Sequence, residues 1–89
     1  MYLLNHHVLK ADTVRAVEAA GPRVVQTVDR WAGGWPKQVK KLEAEGRLVK
    51  EAQEQVRQEE SAYQYSIKNP EVSLSEALEL YDIPLYPRA

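Results

Sequence analysis

Apolar positions fall in short runs at helical spacing, punctuated by glycine and proline. Asp12 and Thr13 are good N-cap types, Val14, Val17 and Ala20 follow at helical spacing, and Gly21 suits a C-terminal cap. A helix is predicted over 13–20. After Pro22, the residues Val24, Val25, Val28 and Trp31 lie at i, i+1, i+4 and i+7, the pattern of an amphipathic helix. The β-branched run RVVQTV also permits a strand. The spacing favours a helix to about residue 32, broken by Gly33-Gly34. The clearest helix is 35–45, with Pro36 in its first turn. At about 100° per residue, Trp35, Val39 and Leu42 share one side, and Lys37, Lys40, Lys41 and Ala44 the other. Gly46 ends it.

Beyond Gly46 the pattern admits two readings. Glu, Gln, Lys and Arg in RLVKEAQEQVRQEESAYQYSIK are good helix formers, which permits one long helix. Tyr63, Tyr65 and Ile67 alternate with Gln64 and Ser66, a period-two signal in β-favouring residues. The second reading gives two antiparallel strands, 47–53 and 60–68, joined by a polar loop that has no Asn-Gly or Asp-Gly turn. Asn69-Pro70 is a break. Ser73 or Ser75 can cap a last helix with Leu74, Ala77, Leu78 and Tyr81 on one face, and the two prolines of IPLYPRA make the tail extended. At the other end YLLNHHVL fits a short strand or the first turns of a helix.

With the strand reading, the order is helix, helix, turn, helix and two strands. Here the chain resembles the winged helix-turn-helix family of DNA-binding regulators. PKQVKKLEAEGRLVKE carries the resemblance: Val39, Leu42, Glu43, Gly46 and Leu48 fill the V-x-x-L-E-x-x-G-x-L pattern that ends a recognition helix in that family. RVVQTVDRWAGG resembles the preceding positioning helix, and SAYQYSI a returning wing strand. The resemblance implies an α+β, mainly helical fold: a three-helix core with a two-stranded wing over 12–67, then a C-terminal helix and tail over 68–89, all in a single domain. It also implies a function, the binding of double-stranded DNA as a transcription regulator. The helix 35–45 would lie in the major groove.

Composition sharpens this picture. The chain has 89 residues and a net charge of -1, room for one small domain without the overall basicity usual in a nucleic-acid binder. Charge is unevenly spread. Over 30–50, six bases (Arg30, Lys37, Lys40, Lys41, Arg47, Lys50) face two acids (Glu43, Glu45), a balance of +4; over 51–60, four glutamates face Arg57, a balance of -3. The expected DNA-binding residues are therefore Lys37, Gln38, Lys40, Lys41 and Arg47. The lysines would contact phosphates, and Gln38 has the donor–acceptor pair that reads an adenine edge. The acidic stretch would repel phosphate from the wing.

Other chemistry finds little support. The mean hydropathy is -0.54, and neither a membrane span nor a signal peptide is recognisable. Cysteine is absent, so neither disulfides nor thiolate metal sites are available. The expected location is the cytoplasm. His6 and His7 are adjacent, so their side chains diverge, and no ligand partner stands at metal spacing. No nucleophile–base pair or phosphate loop is present, and the expectation is no enzyme, no cofactor and no small-molecule ligand. Trp31 and Trp35 are expected as core residues, and Tyr63 and Tyr65 as half-buried on one strand face. Leu74, Leu78, Leu80, Ile83, Leu85 and Tyr86 exceed what a last helix needs for itself, which points to a homodimer. The competing expectation is a protein-interaction or assembly module that does not bind DNA.

Overall fold

The computed structural model describes residues 6–87. A 3-10 turn at His6–Val8 precedes five helices: α1 Ala11–Ala19, α2 Pro22–Gly34, α3 Pro36–Ala44, α4 Leu48–Lys68 and α5 Leu74–Leu80. The first five residues of the ambiguous N-terminal segment lie outside the described residues. Packing runs through two helices. Against α2 lie α1, α3 and α4, while α4 also contacts α3 and α5.

The first three helices follow from local signals, with two differences from expectation. Helix α1 begins at Ala11 after Lys10, so Asp12 sits in the first turn, where its charge favours the helix N-terminus, rather than at the cap. Gly33-Gly34 does not break α2, which runs through Gly34. Its end is set by Pro36, whose ring disfavours helical geometry in the residue before it. Trp35 accordingly takes φ -136 and ψ 61, and its N–H makes the last bond of α2 to the Trp31 carbonyl at 2.6 Å. Glycine in a helix raises the conformational cost without forcing a stop. Helix α3 ends as the sequence predicts. Gly46, at φ 71, lets its own N–H reach the Glu43 carbonyl and the Arg47 N–H reach the Leu42 carbonyl, closing a Schellman turn.

The largest correction concerns residues 47–68. No strand occurs among the described residues, and the expected two-stranded wing is replaced by the single helix α4. The α+β winged fold is thereby overturned: the described chain is all-helical. The other reading of this stretch, one long helix, is the one found, and Gly46 separates it from α3. No glycine follows Gly46, and Pro70 is the next proline after Pro36, so nothing interrupts a run of strong helix formers. Buried positions on α4 are Leu48, Ala52, Gln55 and Ala62, a heptad-like stripe with spacings of four, three and seven. The alternation of Tyr63, Tyr65 and Ile67 is incidental: Tyr63 and Ile67 are exposed and one helical turn apart, while Tyr65 is half-buried. Local pairs reinforce the helix, with Arg57 bound to Glu54 and Arg47 to Glu51.

Two cores line this helix. The larger joins Val17, Val24, Val25, Val28, Trp31 and Ala32 to Val39, Leu42, Leu48 and Ala52. The smaller consists of Ala62, Ala77 and Ile83, with Tyr65, Val72 and Leu78 packed around it. Helix α5 is N-capped by Ser73: the Glu76 N–H donates to Ser73 Oγ at 3.2 Å, and that hydroxyl donates to Glu76 Oε1 at 3.3 Å. Of the face expected on α5, Ala77 is buried and Leu78 half-buried, whereas Leu74 and Tyr81 are exposed.

A paired substitution checks the α3–α4 boundary. Gly46→Ala places a side chain on left-handed backbone and should lower unfolding free energy by about 1–2 kcal/mol. Gly34→Ala, at a helical position with open space around it, should raise stability by up to about 1 kcal/mol. Urea denaturation followed by circular dichroism measures both. Equal effects would contradict the turn.

Candidate functional site

Two surfaces emerge from this arrangement. The first is the outer side of α3. Val39 and Leu42 are fully buried and fix the rotation of the helix, so Lys37, Gln38, Lys40 and Lys41 are all exposed. No ion pair among the described residues involves these three lysines. Glu43 turns the other way: its carboxylate accepts the Lys10 backbone N–H at 2.8 Å, tying α3 to the start of α1.

Arg47 does not join this face. It sits between α3 and α4, with Nη1 2.9 Å from Glu45 and Nη2 3.2 Å from Glu51. Hydrogen bonds to Glu51 and then Glu45 push its pKa above the ordinary arginine value. Its charge is matched twice over, which leaves little to offer a phosphate. The other nearby arginines are likewise engaged: Arg23 with Glu60 at 2.6 Å and Arg30 with Glu59 at 3.0 Å, both crossing from α2 to α4. The acidic stretch expected to repel DNA thus serves as a clamp on α2.

The second surface is C-terminal, and it begins with a buried anchor. Trp31 is 1% exposed, and its indole Nε1–H donates to the Leu85 carbonyl at 3.1 Å. Gln55, also buried, donates through Nε2 to the Pro84 carbonyl at 2.6 Å and to Glu59 Oε2 at 2.7 Å. Residues 83–87 are thereby strapped across α2 and α4. Ile83 and Pro87 are buried, and the Tyr86 ring lies 6.4 Å from that of Trp35. The strap is absent from the sequence expectations. The available signal was Gln55 on the inward stripe of α4, a polar residue that needs a partner once buried.

Exposed apolar side chains concentrate in the same half of the chain as the strap. Tyr63, Ile67, Leu74, Leu80, Tyr81, Leu85 and Tyr86 are the exposed large hydrophobic residues of the described chain, all between positions 63 and 86. Tyr81 packs edge-on against Tyr65 at 5.6 Å, joining α5 to α4 within this surface. Its charged neighbours are mostly acidic: Glu71, Glu76, Glu79 and Asp82. Among the described residues no helix is long and apolar enough to cross a membrane. No family model, curated protein or solved structure matches the chain.

The strap can be tested directly. Gln55→Ala leaves the Pro84 carbonyl without its donor and should cost about 1–3 kcal/mol. Trp31→Phe preserves most of the ring and removes one hydrogen bond, for a loss of about 1 kcal/mol. Both should speed proteolysis within 82–87. Unchanged cleavage in both variants would mean that the strap is not held by these bonds.

Proposed function

We propose that the protein is a non-enzymatic helical interaction module that engages a protein partner through the apolar surface of residues 63–86. The observation that carries this reading is the confinement of the exposed large hydrophobic residues to that stretch. Single exposed apolar side chains are ordinary, whereas a concentration of them marks a contact surface. Three of the seven are tyrosines, a residue type enriched where proteins meet because it combines large apolar area with a polar tip. The acidic rim suits a partner with basic residues around an apolar centre.

A photo-reactive residue at position 63 or 80 should give discrete protein adducts in the native cell. The same residue at Gln53, exposed on the N-terminal half of α4, should not. Replacing Tyr63, Ile67 and Leu80 by serine should remove the adducts while shifting unfolding free energy by no more than about 0.5 kcal/mol per site. Adducts that persist in the serine variant, or appear equally from position 53, would sink the proposal.

A second reading is favoured by the unpaired lysines of α3. Three phosphate contacts would give a weak, salt-sensitive association with duplex DNA, with a slope of log K against log salt near -2.7 for one copy and about twice that for a dimer. The joint substitution Lys37→Ala, Lys40→Ala and Lys41→Ala should abolish it without unfolding the chain, since all three side chains are exposed. Absence of duplex binding by the parent protein at low salt would eliminate this reading. The lost wing and the neutralised Arg47 place it second.

A further inference from the structure

We propose that the groove across α2 and α4 accepts residues 83–87 from a second copy of this chain, so that two protomers associate by exchanging their C-terminal straps. The inference rests on the reading of residues 63–86 as an interaction surface and names its partner.

The groove has a defined ligand chemistry, because the chain's own tail occupies it. Two of its contacts are donated by buried side chains, Trp31 and Gln55, to backbone carbonyls of Leu85 and Pro84. A third is the ring contact between Trp35 and Tyr86. A segment with two prolines suits such a site because it is stiff and loses little freedom on docking. Each of these contacts can form equally with the tail of another copy. Exchange therefore sacrifices none of them, which is the condition for domain swapping.

The hinge is marked by the backbone. Helix α5 closes with the same turn as α3: the Asp82 N–H donates to the Glu79 carbonyl and the Ile83 N–H to the Leu78 carbonyl. At α3 the left-handed position is held by Gly46; at α5 it is held by Asp82, at φ 54. A side chain there disfavours the closed turn relative to glycine. Strain at a short hinge shifts the balance toward the open form.

Two surfaces left uncovered by the closed chain argue that the partner is another copy. Leu80, Tyr81, Leu85 and Tyr86 flank the hinge and remain exposed, where two crossing straps would meet. The charges are also self-complementary: α3 carries Lys37, Lys40 and Lys41 and the α5 end carries Glu76, Glu79 and Asp82, and none of these six enters an ion pair among the described residues. A strap delivered to Trp35 from another protomer brings its acidic flank to the start of α3.

Sedimentation equilibrium of the full chain, with Asp82→Pro and Asp82→Gly, tests the exchange. Proline cannot adopt the positive φ and lacks the donor of the closing turn, so it should open the hinge and tighten dimerisation by about tenfold or more. Glycine should weaken it by a similar factor. If Asp82→Pro loses its helical circular dichroism, Asp82→Val, which also disfavours positive φ, takes its place. An excess of the end-blocked peptide Ile-Pro-Leu-Tyr-Pro should compete for the groove and dissociate the dimer. A folded hinge variant that stays monomeric at high concentration overturns the proposal. Dimers indifferent to both Asp82→Gly and the peptide overturn it too, and then point to association through the exposed side chains alone. Photo-adducts with a different protein would leave the interaction reading standing even if exchange fails.

Discussion

The fold depends on how the indole of Trp31 is buried. Its ring belongs to the larger core, and its one polar atom must find an acceptor there. That acceptor is a backbone carbonyl from the far end of the chain. A packing requirement of α2 thus becomes a constraint on the tail. Gln55 repeats the logic from α4, satisfying its buried amide with the neighbouring carbonyl. Two helices and a strap are joined by groups that would be costly to leave unpaired. The ion pairs beside them, Arg23–Glu60 and Arg30–Glu59, are more exposed. They orient α2 against α4 more than they stabilise it.

Helix α4 is the second organising feature. At about 32 Å for 21 residues, it outlasts the core that its first half serves. Leu48 and Ala52 belong to the larger cluster and Ala62 to the smaller. Gln55 and the partly buried Glu59 lie between them, so a polar seam divides the two apolar regions. Helix α5 is short and rests on the far half of α4. This leaves one side of each of these segments without cover, and the exposed tyrosines and leucines lie there.

Much of the first half was legible because local rules and packing agree there. The apolar spacing of Val24, Val25, Val28 and Trp31 marked α2, Val39 and Leu42 fixed the face of α3, and Gly46 marked its end. The outward placement of Lys37, Lys40 and Lys41 followed from the same periodicity. The second half was misread for a physical reason. After Leu48 the inward stripe of α4 uses alanine at 52 and 62 and glutamine at 55, where larger hydrophobic residues would announce it. The conspicuous residues, Tyr63 and Ile67, face outward, so their alternation pointed to a strand that does not exist. Arg47 stands near the lysines in sequence, but its pairing with Glu45 and Glu51 depends on the turn at Gly46. The strap was not anticipated because its contacts span 54 and 29 residues.

The unequal size of the two cores also divides the molecule in time. The smaller cluster rests on three buried residues, and a unit of that size opens at a small fraction of the free energy needed to unfold the whole. Because α4 is one continuous hydrogen-bonded rod, its far half can shed α5 without disturbing the near half. Backbone amides of α5 then exchange with solvent through brief local openings, while those around Leu48 and Ala52 wait for global unfolding. Any ligand of the far end meets a population of open and closed forms, and its apparent affinity scales with the competent fraction.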